Sequence, residues 1–64
     1  MTPAVAAALA AFVAARESSR RAVATSKARW YDADARAHCH LAARETERAE
    51  QALIDAYRAA QEAR

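Results

Sequence analysis

From Ala7 to Ala63 alanine returns at every seventh position: Ala7, Ala14, Ala28, Ala35, Ala42, Ala49, Ala56 and Ala63, broken only by Arg21. Seven residues make two turns of a helix packed along one stripe, so a repeat this long constrains the chain to helices. The rest of the composition agrees. Alanine fills 22 of the 64 positions, glycine and asparagine fill none, and the one proline is the third residue. Alanine, arginine, glutamate and leucine all favour helix, and no run shows the alternation of a strand. The chain reads as all-α.

A stripe of small side chains lets two helix backbones approach closely. Folded back about position 33, the sequence becomes its own complement: residue 12 faces 54, residue 9 faces 57, and residue 20 faces 46. Val5, Leu9, Phe12 and Val13 then meet Leu53, Ile54 and Tyr57, while Arg16, Arg20 and Arg21 meet Glu45, Glu47 and Glu50. This is the pattern of an antiparallel helical hairpin, with helices expected at about 3–30 and 34–63 in one domain spanning 1–64. The alternative is one long continuous helix in an antiparallel coiled coil. The alanine repeat crosses the middle without a slip, and no glycine, asparagine or proline marks a turn there. Such a helix would be about 90 Å long at 1.5 Å per residue. Helices in globular proteins are usually far shorter, which favours the hairpin.

Local signals set the boundaries. Thr2 can cap the first free amides, and Pro3 at the first helical position lacks only an amide that would be unpaired. Thr25 and Ser26 have the weakest helix propensity of the first segment, and Asp32 or Asp34 can cap the second. The mixed-charge run Arg44–Glu50 reads as solvated helix surface.

A core built from 64 residues is marginal, so the hairpin is expected to dimerise into a four-helix bundle. The helix and oligomer interface is assigned to Val5, Leu9, Phe12, Val13, Leu53, Ile54 and Tyr57. The net charge of +2 divides unevenly. Residues 1–36 hold six basic and three acidic side chains, or +3; residues 37–64 hold four and five, or −1. A single cysteine requires no oxidising compartment, so a cytoplasmic location is expected. The uncharged start, Met1–Ala15, lacks a basic leader and is too short and alanine-rich to span a bilayer, so no membrane partner is expected.

Few residues suggest chemistry. His38-Cys39-His40 invites a metal, but consecutive helical residues diverge by about 100°, so the two imidazoles point to nearly opposite sides. Asp34 and His38 lie one turn apart, yet two ligands are too few for a structural zinc site. Cys39 as a nucleophile would need a positioned base and an oxyanion site, for which a glycine-free helical chain offers no loop. The chain is therefore expected to be no enzyme and to hold no cofactor or metal. Trp30 and Tyr31 are a candidate contact for a protein partner, or a plug closing one end of the bundle.

A hairpin with tryptophan at its bend resembles, in outline, the small secreted helical hairpins with a Trp-X-Gly turn. Here Trp30-Tyr31-Asp32 lacks that glycine, and Gln61 stands four residues after Tyr57 where that family carries an acid, so no membership is assigned. The function expected is a self-associating, non-enzymatic protein–protein interaction module: an adaptor, an inhibitor or a small structural subunit. The alternative is a small nucleic-acid-binding regulator whose Arg16, Arg20, Lys27, Arg29 and Arg36 contact phosphates, although Asp32, Glu45 and Glu47 interrupt that basic surface.

Overall fold

The computed structural model describes residues 1–63. Helix α1 (Pro3–Ala28) and helix α2 (Ala33–Glu62) pack against each other as an antiparallel hairpin. The start of α1 follows from its sequence. The Thr2 hydroxyl accepts the amide of Val5 at 3.2 Å, and Pro3 occupies the first turn.

The chain turns at Arg29–Asp32, which overturns the alternative of one continuous helix. Arg29 leaves helical geometry at φ −125°, ψ 51° while its amide still donates to the Thr25 carbonyl at 2.9 Å. The Asp32 amide donates to the Arg29 carbonyl at 2.9 Å and closes the turn. The Asp32 carboxylate then accepts the amides of Asp34 at 2.9 Å and Ala35 at 3.4 Å, satisfying donors that a new helix would leave free. No described residue has positive φ, so the turn forms without glycine.

The helices meet along a seam whose members alternate three and four residues apart. In α1 these are Val5, Ala8, Phe12, Ala15, Ser19, Ala22 and Ser26; in α2, Ala35, Cys39, Ala42, Thr46, Ala49, Leu53, Ala56 and Ala60. With the capping Asp32, they are the only described residues that are not exposed. This is a heptad seam built mostly of small side chains.

The seven-residue alanine repeat has two different fates. In α2 it is the seam itself, through Ala35, Ala42, Ala49 and Ala56. In α1, Ala7, Ala14 and Ala28 are exposed, and the seam takes Ala8, Ala15 and Ala22 instead. The packing stripe therefore slips by one position across the turn. The register differs from the mirror about 33 as well. The Thr46 hydroxyl lies 3.2 Å from the Ala15 carbonyl and 2.9 Å from that of Ala42, so Thr46 sits opposite Ala15 rather than Arg20. The mirror point falls between Trp30 and Tyr31, because the turn forms on the N-terminal side of its Asp32 cap.

The hairpin is thin, with extents of 51 × 13 × 11 Å. Its radius of gyration is 14.7 Å, whereas a compact domain of this length has about 11 Å. Among the described residues only Val5, Ala22 and Ala42 are buried, and none of their side chains is wholly removed from solvent.

Candidate interaction surface

Beside the seam lies a face that carries most of the exposed large apolar side chains. In an antiparallel pair, positions just after the seam on one helix adjoin the equivalent positions on the other. Leu9, Arg16 and Val23 occupy them on α1, and Arg36, Ala43, Glu50 and Tyr57 on α2. Thr2 and Tyr57, both in this class, line one groove of about 440 Å³ with Met1, Val5, Ala60 and Gln61, so the two flanks do adjoin. Val13 and Arg20 of α1, and Glu47 and Ile54 of α2, lie one step farther out on the same face.

The hairpin thus divides the interface residues expected from the sequence. Val5, Phe12 and Leu53 enter the seam; Leu9, Val13, Ile54 and Tyr57 remain exposed beside it, as does Val23. Leu41, also exposed, lies away from this face on α2. The opposite flank presents Ala4, Ala11, Ser18 and Thr25 on α1 and His38, Glu45, Ala52 and Ala59 on α2. Leu41, between His38 and Glu45 and one step farther out, is its one large apolar side chain among the described residues. The apolar character is therefore concentrated on one side, toward the open end of the hairpin.

Charged groups share that face. The Arg16 guanidinium lies over the Phe12 ring, 5.8 Å from its centroid, where the ring's negative face attracts it. Val13, Arg16, Glu17 and Arg20 border a shallow depression of about 110 Å³ on the same stretch of α1. Arg20, Lys27, Arg29 and Arg36 are exposed, and Arg36 donates to the Trp30 carbonyl, which ties the start of α2 to the turn.

At the turn, Trp30 is 74% and Tyr31 70% exposed. Their rings meet edge to face with centroids 6.1 Å apart, so each restricts the other while both remain open to solvent. Cys39 is a half-buried member of the seam, and His38 and His40 are exposed on its two sides. Asp34 is also exposed. No group of three side chains able to hold a metal ion occurs among the described residues, and none of their helices is long and apolar enough to cross a membrane.

The reading from sequence marked Ala35, Ala42, Ala49 and Ala56 through the alanine repeat but missed the other small members of the seam: Ala8, Ala15, Ser19, Ala22 and Ser26 of α1, and Thr46 and Ala60 of α2. Their signal was present as the alternating three-and-four spacing from Val5 to Ser26, carried by size rather than by hydrophobicity. Comparison with family models, with curated proteins and with solved structures finds no match.

Proposed function

We propose that this chain is a non-enzymatic helical protein–protein interaction module that acts as a self-associated hairpin. The observation that carries the reading is its surface. The single chain exposes 5060 Å². A compact monomer of 6.9 kDa exposes about 4000 Å². The excess of roughly 1000 Å² matches the area of about 800 Å² that each partner covers in a standard interface. Leu9, Val13, Ile54 and Tyr57 supply apolar side chains for it on one face, and a four-helix bundle is the assembly that such a hairpin makes.

In this reading the Trp30–Tyr31 pair, at the tip, contacts a second protein, and the module serves as an adaptor, inhibitor or small structural subunit. The single cysteine suits a reducing cytoplasm. Sedimentation equilibrium tests the self-association: a dimer at micromolar concentration is expected, and a folded monomer at that concentration overturns the proposal.

A second reading, a nucleic-acid-binding regulator, draws on Arg20, Lys27 and Arg36, which line the turn half of the same face. Glu47 and Glu50 lie on that face too and oppose a polyanion. Binding to duplex DNA or to RNA at low salt, weakening steeply as salt rises, is the result this reading requires.

A further inference from the structure

Resting on the self-association proposed above, we infer that two copies pack through the face bearing Leu9 and Tyr57, with α1 of each copy lying on α2 of the other. All neighbouring helices are then antiparallel, and both turns lie at the same end of the bundle. The occupant of the exposed apolar face is thus a second copy of this chain, in one orientation.

The first argument is the asymmetry of the hairpin. Leu9, Val13, Ile54 and Tyr57 share one face, and the opposite face offers Leu41 alone among small and polar groups. The second argument is charge. On the apolar face α1 carries Arg16 and Arg20, and α2 carries Glu47 and Glu50. The hydrogen bond from Thr46 to Ala15 fixes the levels, and it places Arg16 and Glu47 within one helical turn of each other along the axis. Setting α1 on α2 of the second copy brings Arg16 close to the level of Glu47 of the partner subunit, with Arg20 farther toward the turn and Glu50 of the partner subunit farther toward the open end. Leu9 then comes level with Ile54 of the partner subunit.

Two other arrangements fit less well. If α1 lay antiparallel on the other α1 in full overlap, their midpoints would coincide near Arg16, and those of the α2 helices near Glu47. Arginine would face arginine and glutamate would face glutamate. Sliding the copies until Leu9 of each lies opposite Val13 of the other separates the arginines, but it sets the two Glu50 side chains against each other and leaves about a quarter of the hairpin's length uncovered. Toward the turn the shared face carries Lys27, Arg36 and His40, so the contact is firmest from the middle to the open end.

Distances between spin labels test this. The full chain carries Cys39→Ala, which keeps the seam small, and a nitroxide at Tyr31→Cys; circular dichroism checks that its helix content is unchanged. With both turns at one end and neighbouring axes about 10 Å apart, the labels should lie roughly 20–35 Å apart, linkers included. A dimer with labels near 50 Å indicates the reversed full overlap, since the hairpin is 51 Å long, and overturns the inference. Labels near 60 Å indicate the slid arrangement at about 1.5 Å per residue, and they overturn it equally. Either long distance leaves self-association standing, whereas a sedimenting monomer overturns both. Should Tyr31→Cys disturb the turn, labels at Gln61→Cys decide between the two fully overlapped forms: short distances support the inference, and about 50 Å refutes it.

Discussion

The seam between the helices and the face beside it sort side chains by size in the reverse of the usual order. The seam is mostly alanine and serine, with Val5, Phe12 and Leu53 its only large apolar members. The adjoining face holds Leu9, Val13, Val23, Ile54 and Tyr57. In a self-sufficient domain the larger groups go inside, because burying each contributes about 1.5–3 kcal/mol. Here the small groups hold the helices close, and the larger ones stay exposed beside them. In the proposed dimer, closeness within the chain and energy between chains would be assigned to different residues.

The sharpest way to break that contrast is to spoil the outer face alone. Val13→Glu together with Ile54→Glu should weaken self-association by at least about 100-fold, the equivalent of roughly 3 kcal/mol from two buried side chains. Helix content at high protein concentration should remain, as read by sedimentation beside circular dichroism. Equal loss of association from Ser18→Glu and Thr25→Glu on the opposite flank would show that the contact lies elsewhere.

Enlarging the seam comes next. Ala22 is 3% exposed, and Leu there overfills a site built for a methyl group. Ala22→Leu should cost about 1–3 kcal/mol, and it should lower the melting temperature by roughly 5–20 °C. An unchanged melt would mean that the seam is looser than its small residues require.

Two smaller changes sharpen the picture. Asp32→Ala removes the acceptor for the Asp34 and Ala35 amides, and about 1 kcal/mol of stability should go with it in a urea titration. Thr46→Val keeps the shape but removes the hydroxyl shared by the Ala42 and Ala15 carbonyls, at an expected cost of about 0.5–1 kcal/mol. A larger loss would make that bond a main determinant of register.

The helix ends were legible because their signals are local, whereas the turn carries no glycine, asparagine or proline and was expected only because one helix of this length is unusual. Thr2-Pro3 opens α1, Asp32 caps α2, and alanine supplies the propensity between them. Register was not legible for a physical reason. Alanine methyls pack acceptably at several offsets, so a mirror drawn from the large apolar residues placed Thr46 opposite Arg20, where the structure has Ala15. Assigning Val5, Leu9, Phe12, Val13, Leu53, Ile54 and Tyr57 to one interface made the same assumption, that size marks the inside. Val5, Phe12 and Leu53 follow it within the chain, and Leu9, Val13, Ile54 and Tyr57 do not. The alanine repeat misled in the same way, since Ala7, Ala14 and Ala28 continue its spacing on an exposed face of α1.

A hairpin only 13 × 11 Å in cross-section has no amide far from water. Its backbone hydrogens should exchange through small, frequent openings rather than through rare global ones. Proteases would meet the same openings, so copies without a companion would be cleared first. How much of this polypeptide a cell retains would then follow from how completely it is paired.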